Sequence, residues 1–206
     1  PILIEDADSG AVARIQPEAG FNCFSFQAPV RGRMVEAFWS EPAFVTGEGR
    51  PSRSGMPVLF PFAGRITNAR FSFAGTDYHV TTAGENGPNA IHGFVFNRPW
   101  RVTGTAADRV SGVFQGSIDA PETVADWPGD YAIGITYAVA GAQLSVDITI
   151  FNPGEATLPY VFGLHPYFRV PLGGFSAEAC LSTVPAARYW PLENSLNSRM
   201  WANIER

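Results

Sequence analysis

Two of the three histidines in this chain sit in matching aromatic surroundings, and theirs is the chemistry easiest to name. His92 lies within Asn89-Ala90-Ile91-His92-Gly93-Phe94-Val95-Phe96-Asn97-Arg98-Pro99-Trp100, and His165 within Phe162-Gly163-Leu164-His165-Pro166-Tyr167-Phe168. Imidazole is the one side chain whose ordinary pKa lets it give or take a proton near neutrality, so the pair points to acid–base work. Gly93 leaves room for something to approach the backbone beside His92. Pro166 restricts the His165 backbone to extended conformations and has no N–H of its own, which predicts a strand end with the imidazole turned into a concavity. The competing reading of each is a core histidine with satisfied hydrogen bonds. His79 alternates with Tyr78 and Val80 beside a turn and reads as a surface or cross-strand residue. The apolar run Pro57-Val58-Leu59-Phe60-Pro61-Phe62-Ala63 ends at Gly64-Arg65-Ile66, which places Arg65 at a sheet rim. There its guanidinium either donates several hydrogen bonds to a ligand or forms an ordinary surface salt bridge.

Other chemistries find little support. The sequence contains no Gly-x-Ser-x-Gly elbow, no Cys-x-x-Cys, no His-Glu-x-x-His and no Gly-rich phosphate loop. The histidines lack the paired spacing of a metal site. Cys23 and Cys180 are far apart and match no metal pattern, so both read as free, mostly buried thiols. A net charge of −5, with every one of the 14 cationic side chains an Arg, disfavours a nucleic-acid partner. The start Pro1-Ile2-Leu3-Ile4-Glu5-Asp6 lacks the basic, apolar pattern of a secretory signal, and no segment is long and apolar enough to span a bilayer. The expectation is a soluble, cytoplasmic protein with no membrane partner.

The elements that must position these side chains are strands. With 46% hydrophobic residues over 206, the chain can bury one ordinary core, which predicts a single domain over 1–206. Gly 21, Pro 17 and Phe 16 against only 16% charged residues describe strands punctuated by turns, with few helices. Tyr131–Val139 and Leu144–Ile150 each alternate apolar and polar residues about Ala140-Gly141-Ala142-Gln143, which predicts a hairpin. A second hairpin is predicted from 69–73 and 78–80 around Ala74-Gly75-Thr76-Asp77. Further strands are expected over 11–16, 22–27, 33–39, 100–105 and 112–118. Their turn-length spacing, without amphipathic helices between them, argues for an antiparallel sandwich. The polar, Gly/Pro-rich stretch 46–55 reads as an exposed, mobile loop.

Taken in order, Pro61-Phe62-Ala63-Gly64-Arg65-Ile66, the Asn89–Trp100 segment and Gly163-Leu164-His165-Pro166-Tyr167-Phe168 resemble the aldose 1-epimerase (galactose mutarotase) family. Val184-Pro185-Ala186-Ala187-Arg188-Tyr189-Trp190-Pro191-Leu192 resembles the strand that follows them, so the likeness runs from about Pro57 to Leu192. The resemblance implies an all-β fold, an antiparallel β-supersandwich holding a sugar in a groove on its concave sheet. It also implies interconversion of the α and β anomers of a free hexose, without cofactor or metal. A base takes the proton from the anomeric O1 hydroxyl, an acid protonates ring oxygen O5, and C1–O5 opens to an aldehyde that recloses on its other face. By this resemblance His165 is the general acid to O5, His92 hydrogen-bonds the sugar near that oxygen, and Arg65 fixes sugar hydroxyls. Asn89 and Tyr167 are expected to bind substrate, and the Tyr167 and Phe94 rings are candidates to stack on the pyranose.

The chain departs from the family pattern at its C-terminal end. The family's base is a Glu near the end of a longer chain, and a sugar-binding Asp also lies downstream of the His-Pro-Tyr-Phe segment. After Leu192 no family pattern follows, and neither Glu193 nor Glu205 stands in the context of that base. The expectation is a C-terminally incomplete supersandwich: either a fragment with unpaired edges, or a shortened, sugar-binding or vestigial member lacking the full acid/base pair. Either would exist as monomer or homodimer. A third reading, hexose-6-phosphate 1-epimerase, would need a cationic cluster, for which Arg50 and Arg53 are the candidates.

Overall fold

Period-two alternation builds the frame. The computed structural model describes residues 1–81, 87–174, 176–193, 196–197 and 202–203. Strands β1 (Ile2–Asp6), β2 (Ala11–Gln16), β3 (Asn22–Val30) and β4 (Arg33–Glu36) form an antiparallel sheet in chain order. Five shorter strands follow: β5 (Val58–Leu59), β6 (Arg65–Ile66), β7 (Arg70–Phe73), β8 (Thr76–His79) and β9 (Ala90–Ile91). A second antiparallel sheet, again in chain order, comprises β10 (Arg101–Thr105), β11 (Arg109–Gln115), β12 (Ala132–Ala140) and β13 (Gln143–Phe151). Strand β14 (Gly163–Leu164) returns to pair with β5. Among the described residues the α-helix is a single turn, Gly116–Asp119, and the remaining helical pieces are short 3-10 turns.

The inward faces of both sheets merge into one buried cluster. Ile4, Ala13, Ile15 and Cys23 come from the first, and Val110, Phe114, Ile133, Ile135, Tyr137 and Val139 from the second. Phe21 seals the junction, stacking on Trp100 at 5.4 Å and on Tyr137 at 5.5 Å between ring centroids. The Asp6 carboxylate ties the sheets at the rim, accepting the Gly141 N–H at 2.7 Å. Its pKa is lowered, first by the Ser9 hydroxyl that donates to it and then by that N–H.

The predicted hairpins form as ladders. β12 and β13 pair from Ala132↔Phe151 to Ala140↔Gln143 around Gly141 (φ +58), the glycine that a two-residue turn of this hand requires. The apolar face of β12 is buried throughout, whereas Ile148 on β13 is exposed at this sheet edge. β7 and β8 close through only Ala74 and Gly75, both at positive φ, so Asp77 lies in the strand rather than in the turn. Strand boundaries move where other contacts win. The strand expected to reach Trp39 stops at Glu36, and the one expected to reach Ile118 turns helical after Gln115.

The 46–55 stretch departs in part from the expectation of an exposed loop. Its first half is exposed, but Ser54 and Gly55 are buried, and the Asn22 amide holds the Pro51 and Ser54 carbonyls. Polar composition suggested solvent, but the polar groups here serve a buried amide instead.

Candidate active site

The chain from Pro57 to Ile66 gathers both histidine motifs. Along its first part, β14 pairs antiparallel with β5 (Gly163↔Leu59, Leu164↔Val58), and the His165 N–H donates to the Pro57 carbonyl at 3.0 Å. Phe60 bridges Gly93 in the parallel sense, and its carbonyl accepts the Phe94 N–H at 2.8 Å. Farther on, β6 pairs with β9 (Arg65↔Ile91, Ile66↔Ala90), and the His92 N–H reaches the Gly64 carbonyl at 2.9 Å. None of these ladders exceeds two residues, so the site depends on tertiary contacts rather than on strand propensity.

Locally, the backbone kinks to deliver His92. Its φ is +66, in the left-handed region that non-glycine residues rarely enter. Gly93 follows at φ +77 so close to Phe60 that a Cβ would run into the Phe60 carbonyl, which makes glycine obligatory there. Beneath the kink, Phe94 is wholly buried, stacked on Tyr131 at 5.6 Å and edge-on to Phe62 at 5.7 Å. This overturns Phe94 as a ring for stacking on sugar: it belongs to the rigid floor, because residues 92 and 94 face opposite environments across the kink.

Above that floor the two imidazoles meet edge to face, with centroids 5.6 Å apart and planes at 66°. His165 is exposed, and its ring also lies against Tyr167 at 4.9 Å. His92 is half-buried, and its Nδ1 is buried without a hydrogen-bond partner. Burial pushes the His92 pKa down to about 4, helped by the charges of His165 and Arg65. A proton on Nδ1 would create a buried, unpaired donor, so the neutral ring is the stable form at pH 7. Arg65 is exposed on β6, directly across from Ile91. The structure thus brings His92, His165, Arg65 and Tyr167 together.

Asn89 is half-buried, and its Oδ1 accepts the Asn68 N–H at 2.8 Å, which fixes the turn leaving β6. The Tyr167 hydroxyl donates to the Ser52 carbonyl at 2.7 Å. Glu193 is exposed, and Glu205 lies outside the described residues. Among the described residues no carboxylate bonds either histidine of the pair, and no group of three His, Cys, Asp or Glu is arranged to hold a metal. His79 is exposed and pairs with Arg70 across β7–β8, the cross-strand surface position expected. Both cysteines are free; Cys23 is buried, and Cys180 only half so.

Two contributors escaped the sequence reading. Asn22 and Ser52 lie far from the histidine motifs in the chain, yet both feed the Tyr167 contact. The one signal available was a polar Asn at the start of a largely buried strand.

Comparison with known proteins fits this geometry. The sequence profile described as aldose 1-epimerase matches residues 33–203. The uncharacterized proteins YphB and YihR of Escherichia coli K12 are 25% and 28% identical over 142 and 141 residues. Those matches cover 67% and 68% of this chain but 46% and 44% of the relatives, so the chain spans about half of their length. Among solved structures, a galactose mutarotase-like protein from Clostridium acetobutylicum superposes with a TM-score of 0.78 at 22% identity, over 95% of this chain and 59% of that one. A GalM/aldose epimerase homologue from C. elegans gives 0.69 at 20% identity, over 98% and 60%. These likenesses establish the galactose mutarotase-like fold expected from the sequence. Since the profile also runs through the segments that carry both histidines and Arg65, the chain belongs to the aldose 1-epimerase family.

Proposed function

We propose that this protein is an aldose 1-epimerase, interconverting the α and β anomers of a free aldohexose by acid–base ring opening and reclosure. The observation that carries the reading is the edge-to-face approach of His92 and His165, 5.6 Å between centroids, with the Arg65 charge acting on the same ring.

The two rings divide the work by environment. His165, exposed to the groove, donates its proton to O5 as C1–O5 breaks. His92, held neutral by burial and by the neighbouring charges, hydrogen-bonds near O5 without competing for that proton. Arg65 and the Asn89 amide donate to ring hydroxyls and set the orientation of the sugar. A carboxylate base, which the family resemblance places downstream of the His165 segment, takes the O1–H proton; the O–H electrons form the aldehyde C=O, the C1–O5 pair leaves on O5, and O5 takes the His165 proton. Rotation about C1–C2 and the reverse proton transfers give the second anomer. The two free thiols agree with a reducing, cytoplasmic setting.

A second reading, sugar binding without turnover, is favoured by one observation: no carboxylate bonds either groove histidine among the described residues. Polarimetry of freshly dissolved α-D-glucose and α-D-galactose, each against the buffer-only rate at the same pH, separates the two. Acceleration is the expected result. An unaccelerated rate, together with saturable hexose binding by a folded sample, would replace the epimerase with the binding protein.

A further inference from the structure

Asn22 is completely buried, and its side-chain hydrogen bonds all go to one loop. Its Nδ2 donates to the Ser54 carbonyl at 2.8 Å and the Pro51 carbonyl at 3.3 Å, and its Oδ1 accepts the Met56 N–H at 2.9 Å. Gly55, at φ +60, packs so tightly beneath that a Cβ would run into Phe24 Cα and Asn22 Oδ1. The 51–56 loop is therefore clamped from below.

The clamped loop grips Tyr167 at both ends. The Gly55 carbonyl accepts the Tyr167 N–H at 2.8 Å, and the Ser52 carbonyl accepts its phenolic O–H at 2.7 Å. A tyrosine anchored at backbone and tip has little rotamer freedom left. Its ring lies 4.9 Å from that of His165, whose other aromatic neighbour is His92. An exposed imidazole lacking such walls would sample several rotamers, and a proton donor must lie within hydrogen-bond reach of its acceptor.

We propose that the 51–56 loop is the positioning element of the histidine pair: Asn22 fixes the loop, Ser52 captures the Tyr167 hydroxyl, and the Tyr167 ring holds the His165 imidazole against His92. The inference rests on the reading of His165 as the general acid and makes Asn22 and Tyr167 positioning residues that act through it. Tyr167 then serves as a wall for the imidazole rather than as a platform for the sugar. Its donor hydrogen is already engaged by Ser52.

The test compares Tyr167→Phe, which keeps the ring and loses the tie, with Tyr167→Leu, which loses both. One readout is the ¹H–¹⁵N imidazole spectrum of the full chain, with the remote His79 as internal control. The His165 signals are expected to depart from wild type modestly in the Phe variant and strongly in the Leu variant, while those of His79 stay in place. In mutarotation, kcat should fall roughly ten-fold for Phe and about a hundred-fold for Leu, since small misplacements of a catalytic group are costly. KM should stay within about two-fold, because no ground-state contact to sugar is removed. A folded Asn22→Ala chain should move the same His165 signals although residue 22 touches neither ring. If that chain does not fold, Tyr167→Phe decides alone. His165 signals in Tyr167→Phe that superimpose on wild type would overturn the proposal, as would a raised KM at constant kcat, which would make Tyr167 a sugar ligand. If the wild-type chain does not accelerate mutarotation, the catalytic reading fails, and the spectra still decide the positioning.

Discussion

The two four-stranded meanders and the histidine site are both built on paired backbone, yet they are ordered by different means. In the meanders each strand bonds its neighbour in the chain, β12 and β13 over nine residues each, and apolar side chains alternate into the shared core. At the histidine site the strand pairs are two residues long and join segments distant in sequence. The backbone there enters the left-handed region at His92, and polar side chains face outward. The frame's order is local and repeated; that of the histidine site is borrowed from loops, buried amides and an aromatic floor. It follows that stability and chemistry should respond to different residues.

The sharpest test of that separation is the largest expected effect. His165→Asn removes the proposed acid from an exposed position and leaves every ladder intact. Mutarotation should fall by about 10²–10⁴-fold, the usual contribution of a general acid, with the thermal midpoint unchanged. A drop in midpoint accompanying the lost turnover would mean that the groove also supports the frame, and undiminished turnover would remove His165 from the acid role. The converse substitution is Phe114→Ala, whose ring is fully buried on β11 between Trp100 at 5.8 Å and Tyr131 at 6.5 Å. It should cost about 3–5 kcal/mol in urea unfolding, the typical cost of truncating a buried Phe, while the specific activity of the folded fraction stays near wild type. Selective loss of activity in that fraction would show that the core tunes the groove directly and would break the comparison.

The same contrast explains what could be read from the sequence. The 131–150 hairpin was legible because alternation, turn glycine and ladder all report the same two-residue period. His92, His165 and Arg65 were legible by type and motif, and the structure does gather them. Phe94 was not, since a ring one residue past a glycine can face groove or core, and only the left-handed kink at 92–93 decides. The 46–55 stretch misled for a related reason. Its polar composition is that of a solvated loop, but Asn22 satisfies its carbonyls from inside, and no local pattern encodes a partner about thirty residues away. β1 is not evident from the sequence, because its edge position on the first sheet appears only with β2 in place. Chemistry at the level of residue types is written locally, whereas the ties that orient it are long-range.

The smallest effect tests whether the two histidines differ as their surroundings require. Burial first, then the charges of His165 and Arg65, hold the His92 pKa down at about 4 in the folded chain, whereas an unfolded histidine titrates near ~6.5. Between those values the unfolded chain binds the extra proton and the folded chain does not. Folding stability should therefore be level above about pH 6.5 and decline as pH falls towards 4, where the folded ring also becomes protonated. The carboxylates with lowered pKa values, Asp6, Asp108 and Asp130 with an ordinary value of 3.8 and Glu178 with one of 4.5, act at or below those values, so their contributions set in at the bottom of this window or beyond it. Urea midpoints measured from pH 7.5 to 4.5 should slope downwards in wild type and flatten in His92→Asn, which has no proton to bind. In the imidazole spectrum His92 should titrate with a midpoint near 4. A midpoint near the ordinary histidine value would sink the distinction, because it would show that His92 has the solvent access of a surface residue. The proposed mechanism would then lose the neutral partner it assigns to His92.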